Sequence, residues 1–170
     1  MVLEFFWIVL LCCTVSIGAD TSDYTVNITT TDSTPTRGNS TVDLKCTYTG
    51  EALSVTIDRM RRADGSWKAL ARFSISRNTS QLEGSGLDLK ARAELSMANG
   101  SVSLNLYSTQ CNDTAKYKCQ IMPSTDERLA IYSTTSIDVL DEVGEPCGAP
   151  WHTISVLHLG ILLLAKSLLM

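Results

Sequence analysis

The sequence predicts an all-β chain folded as an antiparallel sandwich, and three observations carry that expectation. Between positions 24 and 140 the apolar residues recur with period two rather than 3.6, the spacing of half-buried strands. The alternating segments are short and are separated by polar turns, two of which have hairpin chemistry. The part of the chain between its two apolar termini holds four cysteines, enough for a disulfide framework in an oxidising compartment.

Residues 24–30 supply a first strand. Val42, Leu44, Cys46 and Tyr48 then alternate with polar neighbours, and Leu53, Val55 and Ile57 do so again. Ala63-Asp64-Gly65-Ser66 is a turn that separates residues 54–62 from a further strand over 67–75. Residues 77–86 (RNTSQLEGSG) read as a connecting loop with one glycosylation signal. Leu87, Leu89, Ala91, Ala93 and Leu95 resume the alternation, although 87–97 (LDLKARAELSM) is also rich in helix formers. Asn99-Gly100 turns that segment into Val102, Leu104 and Leu106. Tyr117, Cys119 and Ile121 follow, and Leu129, Ile131, Ile137 and Val139 close a series of about eight strands.

The longest apolar runs sit at the two ends. Residues 5–13 (FFWIVLLCC), followed by Ser16, Gly18 and Ala19, have the length and order of a secretory signal peptide, with cleavage expected after Gly18 or Ala19. Residues 154–170 (ISVLHLGILLLAKSLLM) follow a small-residue triplet, Cys147-Gly148-Ala149, and a wetter stretch with His152 and Thr153. That order is expected of a glycosylphosphatidylinositol (GPI) signal, with Gly144, Cys147 and Gly148 as attachment candidates. A spanning helix carrying Lys166 and a docked terminal helix are the alternatives. The expected organisation is a signal peptide over 1–19, one domain over 20–140, a short stalk with the anchor site over 141–150, and a hydrophobic anchor signal or membrane segment over 151–170.

A formal net charge of −4 argues against nucleic acid as a partner. Both histidines, His152 and His158, fall in the C-terminal tail, which leaves the domain none for a nucleophile's base or a zinc site. No glycine-rich phosphate loop is present, and the carboxylate pairs are scattered, so we expect no catalytic residues, no metal and no cofactor. Five Asn-x-Ser/Thr sequons, at Asn27, Asn39, Asn78, Asn99 and Asn112, predict surface positions open to N-glycosylation. Cys46, Cys111, Cys119 and Cys147 allow three pairings.

Asp113-Thr114-Ala115-Lys116-Tyr117-Lys118-Cys119 resembles the D-x-A-x-Y-x-C signature of immunoglobulin variable-type domains, with Leu44-Lys45-Cys46 in the setting of the first cysteine. The resemblance spans residues 24–140 and implies an immunoglobulin-like antiparallel β-sandwich with Greek-key topology. It implies a Cys46–Cys119 disulfide between the sheets and a Tyr117 corner whose hydroxyl bonds nearby backbone. Arg92 lies 27 residues before Cys119 and Asp113 six before it, the family's spacing for an ion pair closing one pole; a solvated Arg92 is the alternative. In this topology Cys111 and Cys147 share that pole, so they are expected to pair with each other, or else one pairs between chains. The chain departs from the family in having Ile57 where strand C carries a tryptophan, and in lacking a Phe-Gly-x-Gly bulge. Antigen-receptor dimer pairing is therefore not expected.

The resemblance directs partner binding to the face of strands G, F, C and C′, where Asp58, Met60, Lys118, Gln120 and Met122 should look outward. A basic border of Arg59, Arg61, Arg62, Lys68 and Arg72 surrounds Trp67, residue types enriched at interface hot spots. The alternative for Trp67 is that it fills the core space left by the missing tryptophan. Together these readings lead us to expect a non-enzymatic recognition or adhesion protein on the extracellular face of the plasma membrane. Its partner would be an extracellular protein or glycan, with homophilic pairing included. A secreted humoral or decoy factor, and a single-pass subunit of a receptor complex, are the alternatives.

Overall fold

The computed structural model describes residues 24–125 and 130–147. The signal peptide, Leu129, the anchor candidate Gly148 and the C-terminal apolar run lie outside the described residues. Among the described residues nine strands form two antiparallel sheets. Strands β1 (Val26–Thr30), β2 (Val42–Tyr48), β7 (Ser101–Leu106) and β6 (Ala93–Ala98) make a four-stranded sheet in the order β1-β2-β7-β6. Strands β3 (Ala52–Met60), β4 (Lys68–Ser74), β5 (Thr79–Leu82), β8 (Ala115–Pro123) and β9 (Ile131–Ile137) make a five-stranded sheet in the order β5-β4-β3-β8-β9. The chain crosses between sheets from β2 to β3, β5 to β6 and β7 to β8, giving an immunoglobulin-like sandwich.

Alternation explains the packing. Val42, Leu44 and Cys46 of β2 and Val102, Leu104 and Leu106 of β7 point inward from one sheet. They meet Val55 and Ile57 of β3, Phe73 of β4 and Ala115, Tyr117, Cys119 and Ile121 of β8 from the other, and all are buried. Ile57 is fully buried and stands opposite Cys119 in the β3–β8 register, so the missing tryptophan's place is taken by a smaller aliphatic residue beside the disulfide. Both sequence-read turns close hairpins. Ala98 and Ser101 pair across Asn99-Gly100, with Gly100 at φ +69°, a conformation glycine adopts without strain.

Three features differ from the expectation. Residues 77–86 are more than a loop, because they contain β5, which pairs with the free edge of β4. The alternation at Leu87 and Leu89 is not strand; Gly84–Leu89 is a 3₁₀ helix, and β6 begins only at Ala93. That helix packs against a bulge in β4, where Leu70 and Ala71 are both buried and the β3–β4 register slips between Ile57 and Asp58. Only glycine fits at position 86, since a Cβ there would overlap the Leu70 carbonyl oxygen. The third difference is the count, nine strands among the described residues rather than about eight.

After β1 the chain leaves its sheet and hydrogen-bonds to the segment beyond β9. Asp138 donates to the Ser33 carbonyl at 2.8 Å, Leu140 to Pro35 at 2.9 Å, and Arg37 to Leu140 at 2.8 Å. Beyond Leu140 the chain turns through Asp141 and Gly144 and comes back so that Cys147 donates to the Val139 carbonyl at 2.9 Å. The return ends in a disulfide to Cys111, while Cys46 and Cys119 are bonded across the core with Cα atoms 6.1 Å apart.

Candidate recognition face

The outward side of the five-stranded sheet takes the even-numbered residues of β3, β8 and β9, because the odd ones of β3 and β8 face the core. Register sets Asp58 opposite Lys118 and Gln120 opposite Tyr132. Lys118 Nζ lies 2.8 Å from Asp58 Oδ2, 5.1 Å from the centre of the Trp67 ring and 5.9 Å from that of Tyr132. One ammonium thus holds a carboxylate and two aromatic faces in a fixed arrangement at the middle of the sheet. Tyr132 is 62% exposed, and Met122 on β8 is also exposed. Trp67 sits on this outward face beneath the ammonium, and so is not the filler of the core gap left by Ile57.

The basic border reads differently in three dimensions. Arg59 is not on the surface: it points inward from the end of β3 and is 2% exposed. Its Nη2 donates to the Ser85 carbonyl and to Asp88, at 3.0 Å from Oδ1, while Nη1 has no hydrogen-bond partner among the described residues. Arg61 also pairs with Asp88, and its Nε donates to the Asn112 carbonyl at 3.1 Å. Lys68 pairs with Asp64 at 3.1 Å and Arg72 with Glu83 at 3.2 Å. Four cations of the positive stripe suggested by the sequence, Arg59, Arg61, Lys68 and Arg72, are therefore compensated by the acids Asp88, Asp64 and Glu83. Arg62 is half-buried at the turn after β3, and Met60, the last residue of that strand, is half-buried too.

Asp88 is the hinge of this corner, because the 3₁₀ helix of residues 84–89 carries it to two guanidiniums. Partial burial alone would raise its pKa, but the hydrogen bonds and charges of Arg59 and Arg61 outweigh that and hold the carboxyl below its ordinary value. A depressed folded-state pKa contributes stability that is present above the unfolded value and is lost as pH falls through the folded one. We expect Asp88→Asn to lower stability at pH 7 by about 1–3 kcal/mol, a buried-pair cost discounted because Asp88 is 43% exposed. The variant should also lose less stability than the parent on acidification below pH ~4. Melting curves at pH 7 and pH 3 check both; parallel acid losses in parent and variant would remove Asp88 from the account.

The lower pole is tied by polar bonds. Arg92 makes a two-pronged contact with Asp113, Nη1 to Oδ2 at 2.5 Å and Nη2 to Oδ1 at 2.7 Å. Asp113 is fully buried, and it also accepts from the Gln110 amide at 2.8 Å. These hydrogen bonds, foremost, raise the Arg92 pKa. Tyr117 donates its buried hydroxyl to the Asp113 carbonyl at 2.7 Å, and burial pushes the phenol's pKa up, so it stays a neutral donor.

All five sequon asparagines are exposed. Asn27 lies on β1, Asn78 between β4 and β5, Asn99 between β6 and β7, Asn39 before β2, and Asn112 in the short 3₁₀ turn Cys111–Asp113. None falls on β3, β8 or β9. What sequence reasoning missed here is Tyr132 and the acids Asp64, Glu83 and Asp88; the odd-numbered apolar phase of β9 does signal that Tyr132 looks outward. No family model matches the chain, and no curated protein matches it.

Proposed function

We propose that the chain is a glycosylated cell-surface recognition or adhesion protein with one immunoglobulin variable-like domain. It binds an extracellular protein or glycan through the outward face of β3, β8 and β9 and is held at the membrane by a C-terminal lipid anchor. The observation that carries this reading is the contrast between surfaces. The face built around Trp67, Lys118 and Tyr132 is free of sequons, while the five exposed asparagines lie on other strands and turns. Aromatic side chains held against a half-buried ion pair offer contact area at little entropic cost, the property of binding hot spots. Attachment of the anchor at Gly144 would remove Cys147 and strand Cys111, so the Cys111–Cys147 bond favours attachment at Cys147 or Gly148.

The test starts from cells displaying the N-terminally tagged full chain. Phosphatidylinositol-specific phospholipase C is expected to release the tag, and the released protein is then screened on arrays of extracellular proteins and glycans. Binding should weaken at least tenfold in Tyr132→Ala and Trp67→Ala and persist in Ser103→Arg on the opposite sheet. Tag retained after the enzyme would favour the spanning subunit, and tag in the medium beforehand the secreted factor. Binders indifferent to Tyr132 and Trp67 would overturn the face.

A further inference from the structure

The outward side of the five-stranded sheet continues from β3 onto β4 and β5. Register aligns Ser54, Ser74 and Thr79 across these three strands, and sets Arg72 opposite Gln81 in the next row. The rows are two residues apart, so all five side chains leave the sheet on the same side. Between β4 and β5 the chain turns through residues 75–78. There the Asn78 amide donates to the Ile75 carbonyl at 3.2 Å, and Asn78 takes φ +50°, a conformation that asparagine tolerates. The turn brings Arg77 beside these rows, and the six residues line a groove of about 260 Å³.

The groove is polar throughout: among the described residues its lining is three hydroxyls, one amide and two guanidiniums. Arg72 is 55% exposed, and Arg77, Thr79 and Gln81 are exposed as well. Glu83 Oε1 accepts from Gln81 Nε2 at 2.9 Å and lies 3.2 Å from Arg72 Nε, so one oxygen steadies both side chains. That contact spends the Nε of Arg72 and leaves its two terminal nitrogens without a partner among the described residues. Arg77 has no ion pair or hydrogen bond among them either. Two guanidiniums against one carboxylate leave a single net positive charge.

We propose that this groove is the subsite for one acidic sugar of an extracellular glycan. Arg72 and Arg77 take its carboxylate, and Ser54, Ser74, Thr79 and Gln81 take its hydroxyls. A guanidinium presents its N–H groups as a planar fork that matches a carboxylate. Hydroxyl and amide side chains both donate and accept, as a sugar's hydroxyls do. A protein partner would find no aromatic or aliphatic anchor among the described lining residues, the kind that dominates protein hot spots. One net charge fits one carboxylate rather than a polyanion. Asn78 belongs to the same turn but lines a different hollow with Tyr48, Ile75 and Met97, so a glycan attached there starts outside the groove. The subsite deepens the reading of this sheet as a recognition surface and rests on it for the extracellular setting.

The test uses the full-length glycosylated chain purified from cells, treated with sialidase to strip terminal acids from its own glycans, and immobilised. A polymer bearing sialyllactose is passed over it, beside the same polymer bearing lactose or sulfated lactose, and beside polyglutamate. The sialylated polymer should bind, and the other three should bind weaker by about tenfold or more. Arg77→Gln and Arg72→Lys should each weaken the sialylated polymer by about tenfold or more, the second because lysine keeps the charge and loses the fork. Melting temperatures should stay unchanged, and Arg77→Gln remains readable should Arg72→Lys disturb Glu83. Tyr132→Ala should bind the sialylated polymer as the parent does. Absence of binding, or equal binding of lactose, sulfated lactose or polyglutamate, would overturn the acidic sugar. Binding indifferent to both arginines, or lost in Tyr132→Ala alone, would overturn the groove. Neither result touches the face around Trp67 and Tyr132, whose own binders report on it separately.

Discussion

Replacing Asp113 with alanine is expected to destabilise the folded protein by about 3–5 kcal/mol, because it strands a largely buried guanidinium. Arg92 is 13% exposed, and among the described residues both of its terminal nitrogens are spent on the two oxygens of Asp113. The same substitution removes the acceptor of the Gln110 amide, which opens the turn before β8. Arg92→Met should cost a comparable amount by leaving a fully buried carboxylate with one amide donor. The double variant should cost clearly less than the sum of the two, since an uncompensated charge remains in either single variant and in neither half of the double. Urea unfolding of the four proteins measures the coupling, and additive costs would mean that the pair is a solvated contact after all. Tyr117→Phe separates the corner from the ion pair. It removes one hydroxyl bond to the Asp113 backbone and should cost only about 1 kcal/mol.

The architecture was legible wherever a strand has a buried side. In β2, β3, β7 and β8 each inward position is apolar except Arg59 at the end of β3, so the period of the pattern and the period of the structure coincide. β5 escaped because Thr79-Ser80-Gln81-Leu82 has no buried face to pattern; it is a strand by virtue of the β4 backbone it pairs with. Leu87 and Leu89 misled for the opposite reason. They keep a two-residue spacing, but the tight seat of Gly86 under the Leu70 carbonyl turns the segment into a 3₁₀ helix that exposes Leu87 and buries Leu89.

The recognition face was legible by composition and illegible in its charges. Asp58, Lys118 and Gln120 follow from alternation alone. That Asp88 would neutralise both Arg59 and Arg61, or that Glu83 would meet Arg72, depends on where the 3₁₀ helix falls, and one-dimensional spacing does not encode that. Arg59 illustrates the limit: a basic residue at an inward position reads as surface until the acid that satisfies it comes into view.

Removing the core disulfide is the other change with a large expected effect. Cys46→Ala with Cys119→Ala releases a cross-link between residues 73 apart, which by loop-closure entropy is worth about 4 kcal/mol. Two fully buried sulfurs also leave the interior, where Ile57 stands opposite Cys119, and the space they vacate adds a cavity cost. The Cys111–Cys147 bond spans 36 residues, and the same entropy argument gives it a nearly equal value of about 4 kcal/mol. The two bonds differ in what surrounds them. Cys147 is only partly buried at the chain's return, and losing its bond frees the turn at residues 141–147 while the two sheets stay packed. We therefore expect Cys46→Ala/Cys119→Ala to lower global stability by the full entropic amount or more. Cys111→Ser/Cys147→Ser should lower it by less and should expose the amides of residues 139–147 selectively to hydrogen exchange. Equal losses of global stability in the two variants would show that ring size alone governs both bonds, and that the packing beside Ile57 adds nothing.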